Sequence, residues 1–147
     1  MRAPPSAAVG KDDVDVVRAA ARLGANLDRR DPTGMTPLHY AAQLGRVDVA
    51  RALVDAGADA DARTYSTNIA PIWLAAYHGR LDVVKVLAAC PKVKVNPNCN
   101  PERAGVIPSA LKGSVSAARA ARSEHHTDVA DFIEAQAAAR RSSPPPS

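Results

Sequence analysis

The chain has 147 residues, 46% of them hydrophobic, 23% charged and only 3% aromatic, with a net charge of +4. That length predicts one domain, with a core drawn mainly from Ala, Val and Leu rather than from rings. No apolar run approaches the roughly 20 residues a membrane-spanning helix needs.

Other coarse features narrow the function classes. The N-terminus, MRAPPSAAVGKDD, lacks the long apolar stretch of a secretory signal, so the expectation is an intracellular (cytoplasmic or nuclear) chain. Two cysteines, Cys90 and Cys99, are too few for a disulfide framework and have no CxxC or Cys/His metal spacing. Free thiols and no metal are expected. The basic surplus is uneven: residues 1–90 hold eleven Lys/Arg against ten Asp/Glu, and residues 91–147 hold eight against five. No Lys/Arg run exceeds two and no aromatics interleave with the charges, so a basic nucleic-acid-binding surface is the weaker alternative to an ordinary solvated face.

In chain order, residues 1–11 are expected to form an N-terminal segment or partial first helix, and VDVVRAAARLGANLDRR (14–30) reads as half a repeat. Asp31-Pro32-Thr33-Gly34 has turn chemistry. Thr36 then acts as an N-cap before Pro37 in the first turn of a helix. Leu38, Ala41 and Ala42 share one face of that helix, and Gly45 stops it. A second helix begins at Val47-Asp48, where the carboxylate complements the helix dipole. Val49, Ala50, Leu53 and Val54 make its buried stripe, and Gly57 ends it.

The pattern then recurs. TPLHYAAQLGRVDVARALVDAGADADA (36–62) meets APIWLAAYHGRLDVVKVLAACPKVKVN (70–96) at an offset of 34. Pro37 falls on Pro71, Ala41-Ala42 on Ala75-Ala76, Gly45-Arg46 on Gly79-Arg80, Asp48-Val49 on Asp82-Val83 and Leu53 on Leu87. At −33 the second helix meets 14–30, and at +80 it meets 116–133, where Asp48-Val49-Ala50 falls on Asp128-Val129-Ala130. One carboxylate per repeat (Asp15, Asp48, Asp82, Asp128) marks helix starts rather than catalytic acids.

A period near 33, with TPLH followed by AA, G, an apolar second helix and GAD, resembles the ankyrin repeat. The resemblance covers 12–90 and 114–136, and it implies an all-α solenoid of stacked helix-turn-helix units with finger turns. The units fall at about 3–30, 31–63, 64–97 and 114–136 within a domain spanning 12–136, the outer ones degenerate. Units of this kind bury their apolar faces only by stacking.

The third unit departs from the pattern. Its finger, TYSTNIAP (64–71), is one residue longer and lacks the usual Asp and Gly, and Trp73 replaces the motif histidine. Residues 91–113 form a long insertion with Pro91, Pro97, Pro101 and Pro108, expected to be mostly irregular, with a short helical turn near Ser109 to Lys112. Residues 137–147, ending in RRSSPPPS, read as a disordered Pro/Ser-rich tail.

No catalytic constellation emerges. His39 occupies a repeat slot, with Trp73 and Arg119 at the matching positions. The resemblance implies that it hydrogen-bonds within and between repeats. His125 takes the slot of Gly45, which favours a turn or surface role for His125-His126 over metal binding. Cys90 takes the slot of Ala56 and is expected to pack. Cys99 has no setting that would lower its pKa. A small enzyme or redox protein using His39 and the cysteines is therefore disfavoured, and no cofactor is expected.

The resemblance instead implies a noncatalytic, monomeric protein-interaction module. Its partner would meet the concave face of finger turns and first helices. On this chain those positions are Pro32, Thr33, Met35, Gln43 and Leu44 in one unit, and Tyr65, Ser66, Thr67, Asn68, Tyr77 and His78 in the next.

Overall fold

The computed structural model describes residues 14–65, 67–90, 92–96, 98–99 and 115–142. Among these, the chain forms helices α1 (Val14–Arg22), α2 (Pro37–Leu44), α3 (Val47–Asp55), α4 (Pro71–Tyr77), α5 (Leu81–Ala88), α6 (Ala117–Ser123) and α7 (Thr127–Ser142). Two-residue strands β1 (Asn98–Cys99) and β2 (Val115–Ser116) pair antiparallel. The class is the all-α repeat architecture that the resemblance implies.

The helices lie in two rows. First helices stack as α2 on α4 on α6, and second helices as α1 on α3 on α5 on α7, with each first helix also packed on its own second helix. The sequence explains the division. Ala41, Ala42, Ala75, Ala76, Ala117, Ala118, Ala120 and Ala121 are all buried in the first-helix row, and their single methyl groups let the backbones approach closely. The second-helix row holds larger apolar side chains in repeating slots: Val49, Val83 and Val129; Ala50, Val84 and Ala130; Leu53, Leu87 and Ile133. Branched and longer side chains there fill the wider gap to native packing density.

Local signals set the boundaries. Pro37 and Pro71 open α2 and α4 at positions where a missing N–H costs no helical bond. The turn after α2 needs Gly45 at φ 73°, and the Arg46 N–H returns to the Ala41 carbonyl at 2.9 Å. His125 takes the same left-handed turn at φ 65°, as its alignment with Gly45 implies. Asp48, Asp82 and Asp128 lie exposed in the first turns of α3, α5 and α7.

Two segments lie outside the regular repeat. The described part of the insertion, 92–96 and 98–99, is irregular apart from β1. Val93 and Val95 are buried, and the Asn96 side-chain oxygen accepts the Ala118 N–H at 3.0 Å. Pairing of 98–99 with 115–116 brings the two ends of the excursion together. The proposed turn at Ser109 to Lys112 lies outside the described residues, as do residues 1–11. The tail expected from 137 is instead helical through Ser142. AQAAARR is rich in strong helix formers. The Arg140 guanidinium also donates to the carbonyls of Ala88 at 2.6 Å, Cys90 at 3.0 Å and Val93, tying α7 to the end of α5.

Candidate functional site

The first finger is built around Asp31. Its Oδ1 accepts the Thr33 N–H at 2.9 Å, the Thr33 hydroxyl at 2.6 Å and the Met35 N–H at 3.0 Å. Its Oδ2 accepts the Tyr40 hydroxyl. Burial opposes ionisation of this carboxyl, but the bonds from Thr33, Tyr40 and Met35 outweigh it and hold the pKa at about 2. The same bond, with some burial and the charge of Asp31, raises Tyr40 to about 12. Tyr40 lies on α2, so the finger is fastened to its helix.

The second finger does without an aspartate. Thr64 Oγ1 accepts the Ile69 N–H at 2.8 Å and lies 2.6 Å from the Thr67 hydroxyl. The backbone closes through Thr64 N–H to the Ile69 carbonyl at 3.1 Å, matching Asp31 N–H to Met35 at 3.0 Å. Asn68 supplies the positive φ, 56°, at the position of Gly34. Asparagine tolerates that conformation better than most residues, which is how this finger turns without the usual glycine.

The two fingers are stacked on each other. The Tyr65 N–H donates to the Thr33 carbonyl at 3.2 Å. A Cβ on Gly34 would meet the Tyr65 nitrogen at 2.7 Å and its ring at 2.9 Å, so only glycine admits this approach. The Arg30 guanidinium lies over the Tyr65 ring at 5.6 Å while donating to the carbonyls of Gly34 (3.1 Å) and Arg63. Tyr65 is held in place yet remains 63% exposed.

The other candidate residues sit at the far end of the first helices. Gln43 is half-buried and Leu44 is 44% exposed. The Tyr77 ring stacks on Trp73 (5.5 Å, 7°) and meets the His78 ring edge-on (5.1 Å, 89°). Burial and the nearby Glu124 carboxylate raise the Tyr77 pKa. His78 is lowered by burial and by the charges of Arg80 and His126, with Glu124 opposing.

The candidates therefore fall into two groups. Pro32, Thr33, Met35, Tyr65, Thr67 and Asn68 form the finger group, and Gln43, Leu44, Tyr77 and His78 form a turn-edge group. The eight residues of α2 separate them by about 12 Å. Ser66 lies outside the described residues.

His39 is fully buried and joins two repeats. Its Nδ1 receives the Thr36 N–H at 3.0 Å, with the Thr36 hydroxyl at 2.9 Å, and its Nε2 lies 2.8 Å from the Ile69 carbonyl. Nδ1 accepts, so Nε2 carries the proton and donates. Burial drives the pKa down to about 4; the Arg30 charge adds to this, while the Ile69 carbonyl and Asp31 work against it. A neutral, fully engaged imidazole has no reaction partner to serve.

Cys90 is half-buried, its thiol 3.7 Å from the Val86 carbonyl and raised in pKa by burial. The Cys99 side chain lies outside the described residues.

Several residues that shape these surfaces carry no motif of their own. Arg30, Asp31 and Tyr40 build the first finger, and Arg80, Glu124 and His126 surround His78. The repeat offset does hold one usable signal: Arg46, Arg80 and His126 share the slot after the turn residue.

A family profile described as ankyrin repeats, three copies, matches residues 6–101. The chain belongs to the ankyrin repeat family. Ankyrin repeats are protein–protein interaction modules, and similar stretches occur in otherwise different proteins. Protein phosphatase 1 regulatory subunit 27 of Mus musculus is 44% identical over 55 residues, 37% of this chain and 36% of that protein. The neurogenic locus Notch protein of Drosophila melanogaster is 37% identical over 73 residues, 50% of this chain and 3% of that protein. Dauer abnormal formation protein 25 of Caenorhabditis elegans is 28% identical over 86 residues, 58% of this chain and 22% of that protein. The chain thus spans about a third or less of these relatives. Among the described residues, no helix is long and apolar enough to cross a membrane.

Proposed function

We propose that this ankyrin repeat protein is a noncatalytic binding module that docks a protein partner on the face formed by its finger turns and first helices. One observation carries the reading. Three large hydrophobic side chains are well exposed among the described residues: Leu23, Leu44 and Tyr65. Two of the three belong to this face. Tyr65 is also fixed by the Arg30 guanidinium and the Thr33 carbonyl, so little side-chain freedom remains to be lost on binding. Tyrosine held this way is a common interface anchor. A noncatalytic role accords with the name of the mouse relative, a regulatory subunit, whose likeness to this chain covers 55 residues.

The test begins with affinity capture from the source cell and identification of a partner. Its affinity is then measured for the wild-type chain and for Tyr65→Ala/Leu44→Ala. Loss of at least about tenfold in affinity, with thermal stability held within about 1 kcal/mol, is the expected result. Unchanged affinity in a folded double variant removes this face from consideration.

A further inference from the structure

The turn edge repeats a contact that the helices alone do not require. The Arg80 side chain lies across Gly45 of the preceding repeat, where a Cβ would meet its Cδ at 2.9 Å. The His126 ring lies across Gly79 in the same way, at 2.6 Å from such a Cβ. Both side chains spring from the residue after the turn, and both backbones make the same bond: Arg80 N–H to Ala75 at 2.7 Å and His126 N–H to Ala121 at 2.9 Å. Arg80 Nε also donates to the Gln43 carbonyl at 3.3 Å. The repeat thus lays one cationic or protonatable side chain per unit along a single edge. His78 precedes Gly79, on which the His126 ring lies; its ring meets Tyr77 edge-on, and it feels the charges of Arg80 and His126.

We propose that His78, Arg80 and His126, with Tyr77 as the aromatic wall, form a binding site for an anionic side chain, carboxylate or phosphoryl, on a peptide segment of the partner. This rests on the docking face proposed above and names the chemistry that its turn edge selects.

The charge balance supports an anion. The groups acting electrostatically on His78 are Arg80 from its own turn and His126 and Glu124 from the turn between α6 and α7, with Tyr77 alongside on α4. Two of these favour positive potential and one carboxylate opposes it. Burial and the two basic neighbours lower the His78 pKa, with Glu124 opposing. An incoming anion offsets those neighbours, so His78 takes up a proton as the ligand binds. Binding therefore strengthens as pH falls, because complex formation takes up a proton and a higher proton activity favours it. Arg80 supplies a fixed charge with planar donors suited to either oxyanion.

The experiment titrates the full chain with two probes, a short oligoglutamate peptide and a peptide of matched length carrying one phosphoserine. The histidine Hε1 resonances are followed by NMR at about pH 7.5 and about pH 6. His78 and His126 signals are expected to move while buried His39 stays put. The His78 pKa rises in the complex, and affinity improves at the lower pH. Arg80→Gln and His126→Gln each weaken binding about threefold to fivefold, as expected for partly exposed charge pairs. Glu124→Gln, which removes the competing carboxylate, tightens it. That gain cannot arise from misfolding. A preference for the phosphoserine probe assigns a phosphoryl group, and parity or the reverse assigns a carboxylate.

The proposal is overturned if both probes leave His78 and His126 unmoved, or if they bind the Arg80→Gln chain as tightly as wild type. If the Tyr65→Ala/Leu44→Ala chain still loses its partner in that case, the docking face stands and only the anion site falls.

Discussion

His39 makes the pH dependence of folding calculable. In the folded chain its Nδ1 accepts from Thr36 and its Nε2–H donates to Ile69, and burial holds the pKa at about 4 against an ordinary 6.5. The folded pKa is the lower one, so the unfolded chain binds the proton more readily between these values. The stabilising contribution is complete above about pH 6.5, declines as pH falls, and is exhausted below about pH 4. The gap, at about 1.4 kcal/mol per pH unit, sets a ceiling of about 3 kcal/mol. Between pH 7 and pH 5 the loss is about 2 kcal/mol, or about 4–8 °C in Tm for a domain of this size.

The measurement compares urea unfolding of wild type and His39→Gln across that range. Glutamine does not titrate, so carboxylates and the other histidines cancel in the difference. Wild type should be more stable by about 2 kcal/mol at pH 7, reflecting the lost inter-repeat bond and imperfect fit. That advantage should shrink toward zero by about pH 5. An advantage that stays constant over the range refutes the reasoning, since it would mean His39 titrates alike in folded and unfolded chains.

The close approach at the turn edge gives a paired prediction. Gly79→Ala must place a Cβ at φ 72° within 2.6 Å of the His126 ring, whereas Gly57→Ala at φ 95° meets nothing within 4 Å. Both should lose about 1 kcal/mol for the left-handed backbone, and Gly79→Ala further, as read by denaturant midpoint. Leu53→Ala, at a fully buried position in the second-helix row, should cost about 2–5 kcal/mol with no change in urea m-value. Arg140→Gln removes a guanidinium that donates to Ala88, Cys90 and Val93. Amide hydrogen exchange should then accelerate in the last turns of α7 and around Val93, while α2 and α3 keep their protection.

The sequence made the repeat legible because its determinants are local and periodic. Pro37 and Pro71 start helices, Ala41-Ala42 and Ala75-Ala76 mark the tight row, and Leu53 and Leu87 mark the wide one. None of these needs knowledge of a distant residue. What escaped is set by contacts across repeats. The Arg30 guanidinium meets Tyr65, 35 positions on, and Arg80 reaches Gln43, 37 positions back. The helical character of 137–142 is also not legible locally, because the proline run that follows points to a tail. The carbonyls that hold Arg140 lie about fifty residues away. The sequence marks Asn68 only as a candidate contact. Its backbone role follows from sitting opposite Gly34 once the longer finger is aligned from its C-terminal side.

Those cross-repeat contacts also say why such a short stack can present a defined face. A repeat's helices contact only their neighbours, so a partner's surface is only as well ordered as each junction. Between the units at 31–63 and 64–97 there are ties at three levels. Tyr65 N–H to the Thr33 carbonyl joins the fingers, His39 Nε2–H to the Ile69 carbonyl joins the helix starts, and Arg80 Nε–H to the Gln43 carbonyl joins the turn edge. They lie at the two ends and the root of the proposed docking face. The buried His39 bond contributes about 1 kcal/mol and the two exposed outer bonds less, which is small against global stability. Their larger effect is angular: three ties spread along one junction resist rocking as well as separation. Cutting the middle tie with His39→Gln should therefore leave both outer ones made, and disturb partner affinity less than it disturbs stability.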